Sequence, residues 1–252
     1  FNKFSRYMKF STFMFGGFDG VNIFDKDQRN FNDRASSSDL GGKARGTVDG
    51  YLNLSSDSSP GTRSENNIVN SYKIATNILT DPFVSNVKII TLPGIKDKDV
   101  TKHVIEKVEN YSRAIYIMDI PFYDSSNSRI FRGSSARPSV RLTTDQFINS
   151  GIDSSFAAAY FPDVTKFDRV NRVSINQPAS IAALEAYAYN DSKKFPWFAP
   201  AGFNRGALSS VTSVDIKLNT EDRNKLYESR INPIASFPNN GFVIFGQKTT
   251  QK

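Results

Sequence analysis

The chain carries one histidine, His103, and no cysteine. Any chemistry it performs must therefore come from carboxylates, hydroxyls, cationic side chains or aromatic faces. Lack of thiols excludes disulfide scaffolds, cysteine nucleophiles, iron–sulfur clusters and thiolate zinc sites. A single imidazole excludes a histidine-pair metal site and makes any serine–histidine device depend on His103 alone. That residue lies among Lys102, Glu106 and Lys107 on the outer side of an expected helix, without a G-x-S-x-G context, and reads as a surface histidine. Asp119 and Asp168 could pair as acid and base, yet no motif marks them, and solvated loop or strand-end positions are the plainer expectation. Gly16, Gly17 and Gly20 match neither the dinucleotide fingerprint nor the P-loop pattern, so they read as a turn. The sequence thus offers no catalytic residue, no metal ligand set and no cofactor site.

Two other groups could bind rather than react. Arg129, Arg132, Arg137 and Arg141 stand in a stretch whose only acid is Asp124, and such guanidiniums clamp phosphates, pair with carboxylates of another subunit, or are simply solvated. Phe195, Trp197 and Phe198 sit between Pro196 and Pro200. They fit a stacking platform for a sugar or base, but proline-locked aromatics favour a packed corner of the core.

These groups need a scaffold. With 252 residues the chain can bury a substantial core, and its 21 Phe and 10 Tyr make aromatic surface prominent in it. Its 32 basic and 25 acidic residues give a net charge of +7, interspersed in sign, which suggests a soluble protein and does not point to nucleic acid. Apolar runs such as 87–92 and 114–120 fall far short of the roughly 20 residues of a membrane span.

Alternation around Phe10, Phe13 and Phe15 predicts a strand over 9–15, and residues 25–63 read as a polar surface excursion. A helix is predicted from Ser64 with Ile68, Tyr72, Ala75, Ile78 and Leu79 facing inward, ending at Asp81-Pro82. Strands over 87–93 and 114–120, joined by a helix with Val100, Val104, Val108 and Tyr111 inward, form a βαβ unit. Residues 122–141 read as a loop, a short helix is capped by Thr143 or Thr144, and 155–161 and 170–175 are further strands. A helix entered at Pro178 should turn Ile181, Leu184 and Ala188 inward. Residues 213–218 read as strand-like, a helix from Thr220 should stop at Asn232-Pro233, and 241–246 form a last strand. The fold class is α/β: a mixed sheet packed with helices over 1–195, with 196–252 the incomplete start of a second α+β layer.

The segment FPWFAPAGFNRGAL at 195–208, followed by INPIASFPNNGFVIFGQKT at 231–249, resembles the signature of contractile phage tail sheath proteins. GGFDG at 16–20, ITLPGI at 90–95 and SSFAAAYFPDV at 154–164 match further family segments in order. The residues carrying the resemblance are Gly16, Gly17, Asp19, Gly20, Pro93, Gly94, Trp197, Pro200, Gly202, Arg205, Gly206, Asn232, Pro233, Pro238, Gly241 and Gly246. The chain departs from the family at Phe198, after Trp197, and at Gln177-Pro178-Ala179-Ser180, where relatives carry Pro-Pro-Ser-Gly. The resemblance implies a non-enzymatic structural subunit, shared in kind with pyocin and type VI secretion sheaths. It further implies hexameric rings stacked helically around a tail tube, contact with a baseplate, contraction that drives the tube through the host envelope, and a place in the virion after assembly in the host cytoplasm. It implies no cofactor, nucleic acid or membrane partner. Family members carry further segments on either side of the matched region, so the chain is expected to be a trimmed core and monomeric on its own. The arginines at 129, 132, 137 and 141 are expected at subunit contacts. The alternative is a glycan- or phosphate-binding module built on the aromatic and arginine-rich loops.

Overall fold

The computed structural model describes residues 67–130, 136–193, 195 and 197–252. The expected strand at 9–15, the glycine turn with Gly16, Gly17, Asp19 and Gly20, the polar excursion at 25–63 and Arg132 lie outside the described residues.

Helix α1 (Asn67–Leu79) is followed by strand β1 (Ile89–Thr91), helix α2 (Lys98–Tyr111) and strand β2 (Ile115–Asp119). Asp97 caps α2, its Oδ1 accepting from the N–H groups of Asp99 and Val100, which satisfies donors that the first helical turn leaves without partners. Ser112 ends the helix in the left-handed conformation at φ 55°. β1 and β2 pair in parallel, Ile89 opposite Ile115, as the βαβ pattern requires. The stretch expected as a loop instead opens with a hairpin, β3 (Phe122–Tyr123) and β4 (Arg129–Ile130). Asp124 Oδ1 holds its turn by accepting from Ser126 and Ser128 N–H. Helix α3 (Val140–Asn149) is capped by Ser139, earlier than expected. Thr143 and Thr144 are instead buried within it, and Thr143 Oγ1 accepts from the Tyr123 N–H.

Strands β5 (Ala157–Phe161), β6 (Val164–Asp168) and β7 (Val173–Gln177) lead to helix α4 (Ala179–Lys193). Strand β8 (Val211–Val214), helix α5 (Thr220–Glu228) and strands β9 (Ile231–Phe237) and β10 (Gly241–Ile244) complete the order. The main sheet runs β1-β2-β5-β9-β10, the first four parallel and β10 antiparallel, so the class is α/β with a mixed sheet. The strand expected over 170–175 does not join it: β7 belongs to a separate antiparallel sheet ordered β7-β6-β8. β9 and β10 lie beyond the boundary expected at 195, yet they are hydrogen-bonded into the same sheet as β1, β2 and β5. Asn232-Pro233 does not stop a helix, because α5 ends at Glu228 and Arg230 turns the chain at φ 65°. Pro233 sits inside β9, where its carbonyl accepts from the Phe245 N–H. The strand-like stretch at 213–218 contributes only its start, as the end of β8.

Alternation along the strands builds two cores. Tyr116, Met118 and Ile120 of the β2 region and Ala157, Ala159 and Phe161 of β5 face Val100, Val104 and Val108 of α2, with Phe147 of α3 and Leu226 of α5 in the same cluster. Each of these fully buried valines contributes about 1.5–3 kcal/mol. On the other face, Ile117, Ala158 and Tyr160 meet α4, with Ile234 and Ile244. The buried face of α4 is Ala179, Ala182, Ala183 and Ala186, while Ile181 and Leu184 are half-buried and Ala188 is exposed. Small side chains there let the helix approach Ala158 of β5 closely. α1 also departs from expectation. Tyr72 and Thr76 turn toward the protein, while Ala75, Ile78 and Leu79 are exposed.

Candidate functional site

The carboxyl ends of β2 and β5 meet the amino end of α4, and ionisable groups converge there. Asp119, the last residue of β2, is buried; its Oδ2 accepts from Gly94 N–H at 2.8 Å and Ser180 Oγ–H at 2.7 Å, and its Oδ1 from Ser180 N–H at 2.9 Å. Asp163, just past β5, accepts from Ala179 N–H at 3.0 Å and pairs with Lys96 Nζ at 3.0 Å. Lys96 also lies 3.5 Å from the centre of the Phe122 ring. Two carboxylates thus take up the first N–H groups of α4, where the helix dipole favours negative charge. Burial, and then the neighbouring Asp163 charge, push the Asp119 carboxyl above the usual range, against Lys96, Gly94 and Ser180, which stabilise the anion. With both oxygens committed, Asp119 works as a tie between the loop after β1, the end of β2 and the start of α4.

The geometry explains why glycine follows Pro93. Gly94 has φ 77°, a left-handed conformation that side chains resist, and it presents its N–H to Asp119. Asp168, the other carboxylate singled out in the sequence, lies in the β6–β7 turn and accepts from Val170 N–H and Asn171 Nδ2. Those bonds lower its pKa. Asp119 and Asp168 form no acid–base pair, and the solvated position expected for Asp119 is corrected to a buried one. His103 is half-buried, with Nε2 3.0 Å from Asn77 Oδ1 on α1. Desolvation, then Lys107 and Lys73, lower its pKa. Among the described residues no cluster of His, Asp or Glu is arranged to hold a metal, and no helix is long and apolar enough to cross a membrane.

A second convergence lies two strands away, where β9 begins beside the carboxyl-terminal half of β5, with Asn232 opposite Tyr160. Asn232 of β9 is fully buried; its Nδ2 donates to Ala159 and Lys248 carbonyls and its Oδ1 accepts from Lys248 N–H at 2.7 Å. The strap 245–250 is thereby stitched across β9 to β5, where Thr250 N–H donates to Ala157. Gly246 must be glycine, since a Cβ would come within 2.8 Å of Asn232 Oδ1. Gly206 is equally confined, its Cβ position being 2.7 Å from the Ile244 carbonyl oxygen. Gly202 (φ 81°) and Gly241 (φ 67°) instead supply turns. Pro238 is exposed in the β9–β10 turn.

The loop between α4 and β8 is only partly the packed corner expected. Phe198 is half-buried under Arg205, whose guanidinium sits 4.1 Å from the ring centre. Phe195 and Trp197 are exposed and stack on each other, with centroids 4.8 Å apart and planes 3° from parallel. The loop turns too tightly to bury all three rings: Phe198 N–H donates back to Phe195 and Asn190 Nδ2 holds the Phe198 carbonyl. Pro200 is half-buried beside them.

The arginines divide as well. Arg129 is half-buried, donates to the Lys96 carbonyl at 2.9 Å, and has its pKa lowered by burial. Arg137 and Arg141 are exposed. The sequence reading missed the Lys96–Asp163 and Asp119–Ser180 links, which join residues 67 and 61 positions apart. Only the neighbouring Pro-Gly turn hinted at a tight junction there.

Comparison with known proteins adds the following. A family model described as the phage tail sheath protein central domain matches residues 83–250. The tail sheath protein of Vibrio phage KVP40 is 44% identical over 62 residues, which is 25% of this chain and 9% of that protein. The tail sheath protein of Enterobacteria phage T4 is 31% identical over 101 residues, 40% of this chain and 15% of that protein. The matched stretches therefore cover only a small part of either relative's length. Among solved structures, the anti-feeding prophage baseplate aligns with TM-score 0.49 and 18% identity over 88% of this chain and 54% of that one. The anti-feeding prophage helical sheath in its contracted state aligns with TM-score 0.48 and 18% identity over 80% and 50%.

Proposed function

The chain belongs to the phage tail sheath family, and from this we propose that it is a structural, non-catalytic part of a contractile tail sheath subunit. The observation that carries the reading is the match of the sheath central-domain model across 83–250, a span that includes nearly all of both cores. In this role, copies stack as hexameric rings in a helix around a tail tube, engage a baseplate, and contract to drive the tube through the host envelope. Subunits assemble in the host cytoplasm and remain in the virion tail. Residues 1–195 are assigned to the sheath core domain and 196–252 to the start of the next, although β9 and β10 share the main sheet and supply Ile231, Ile234 and Ile244 to the two cores.

Such a machine needs rigid subunits with two alternative packings, and unlike surfaces that meet head to tail. Two cores on one sheet, tied to the surrounding loops and to α4 by Asp119 on β2 and Asn232 on β9, suit a body that moves as a unit. Arg137 and Arg141 are exposed for salt-sensitive contacts between copies, with Arg132 expected beside them, whereas Arg129 is engaged with the Lys96 carbonyl and acts through the hairpin.

The test is electron microscopy of the full-length protein beside light scattering of this 252-residue chain. Hollow striated tubes from the former and a monomer from the latter are expected. A full-length protein that stays dispersed at every salt concentration overturns the proposal. Reversing Arg137 and Arg141 to Glu should shift assembly in a salt-dependent way; unchanged assembly and contraction would remove the arginines from the contacts.

A further inference from the structure

Two apolar patches lie on opposite sides of the main sheet. On one side, Phe195 and Trp197 in the loop after α4 are 57% and 74% exposed. At about 200 Å² for each aromatic side chain the stacked pair presents on the order of 260 Å², just below the range of the largest, often functional, patch on a monomer. The patch is held in place: Phe195 and Trp197 stack face to face, and Asn190 Nδ2 fixes the loop through the Phe198 carbonyl at 2.6 Å.

On the other side, Ile74 and Ile78 are one turn apart on α1 and 59% and 54% exposed, and Phe83 in the following turn is 98% exposed. α1 packs on α2, which covers one face of β2, and α4 covers the other face. The two patches therefore point away from each other across the molecule.

This arrangement dictates how copies can join. A twofold dimer uses one patch against itself, whereas two unlike patches on opposite faces join head to tail and propagate. Neither patch approaches the roughly 800 Å² per partner of a stable two-body interface. The joint therefore suits one contact among several in an array. We propose that the stacked Phe195–Trp197 pair of one copy docks on the Ile74–Ile78–Phe83 patch of a second copy. The proposal rests on the sheath reading and names an apolar contact that the arginines do not make.

The experiment places a benzophenone amino acid at position 197 of the full-length protein, mixes it with isotopically labelled copies, and irradiates under assembling and dispersing conditions. Crosslinks between copies that map to 74–84, in the assembled state only, are expected. Tubes that form without such crosslinks, or with crosslinks elsewhere on the second copy or confined to one chain, overturn this contact and leave the sheath reading standing. Failure of the unmodified protein to assemble overturns both. In parallel, Trp197→Ser and Phe83→Ser should each raise the concentration needed for assembly at least about tenfold, with little dependence on salt. The double variant should fall short of the product of the two effects, as contacting residues do. Both positions are exposed, so unchanged circular dichroism and thermal unfolding verify that the variants fold. Independent, fully multiplicative effects would overturn direct contact.

Discussion

Replacing Asp119 with alanine removes the acceptor of three donors: Gly94 N–H, Ser180 N–H and Ser180 Oγ–H. Each donor left unsatisfied in the interior costs about 1–3 kcal/mol. Part of that loss is offset, because the wild type carries the cost of burying a carboxylate beside Asp163, as the raised pKa of Asp119 reflects. A net loss of about 3–5 kcal/mol follows. At a urea dependence of about 2 kcal/mol per molar, the unfolding midpoint should fall by roughly 1.5–2.5 M with unchanged slope. Asp119→Asn keeps the shape but sets an amide N–H against at least one donor, so its loss should be smaller, about 1–3 kcal/mol. The pH dependence adds a second check. Since the folded pKa lies above the unfolded one, the folded chain binds more protons between the two values, and this group's contribution to stability grows as pH falls through that interval. The advantage of wild type over Asp119→Asn should therefore widen on acidification and narrow again toward neutrality. Equilibrium unfolding of the three proteins measures both effects. A loss below about 1 kcal/mol for the alanine variant would refute the assignment of Asp119 as a three-way tie.

Further outcomes follow from single positions. Gly206→Ala should destabilise by at least about 2 kcal/mol, because the new Cβ meets backbone atoms at 2.7–2.9 Å. Gly202→Ala has open space around it and carries only the left-handed φ penalty of about 1–2 kcal/mol; calorimetry that ranks the two in reverse order would contradict the packing described here. Trp197→Ala should change folding stability by no more than about 0.5 kcal/mol, and since this chain has one tryptophan, acrylamide quenching of its fluorescence should be near that of a free indole. Strong protection from quenching in the dispersed chain would place that side chain in the core. His103 has a folded pKa below the ordinary value of 6.5, so its contribution to stability is present above that value and is lost as pH falls through the folded pKa. Proton NMR titration of this sole imidazole should show the lowered midpoint, and His103→Gln should remove that component of the acid loss.

What the sequence determined by itself is the part of the protein governed by short-range periodicity and by motif order. The βαβ unit was legible because Val100, Val104, Val108 and Tyr111 recur at helical spacing between two apolar runs, and the α/β class follows from that alternation. The sheath family was legible because several segments of unusual composition occur in one order, and the matching family model covers 83–250. Tertiary structure decided everything that depends on which distant surfaces meet. Asn232-Pro233 has the local chemistry of a helix stop, yet β9 takes it because Asn232 can bridge Ala159 and Lys248 within the sheet. α4 turns its alanines inward, rather than its Ile and Leu, because its first turn is held by Asp119 and Asp163 and it packs closely on Ile117, Ala158 and Tyr160 of the sheet. Trp197 is exposed although its type predicts burial, since loop hydrogen bonds leave room beneath them for Phe198 alone. A hydrophobic pattern states which residues gain by leaving water, but it does not state which of them find a partner surface. That choice belongs to long-range packing and to buried polar ties such as Asp119, whose partners no local spacing reveals.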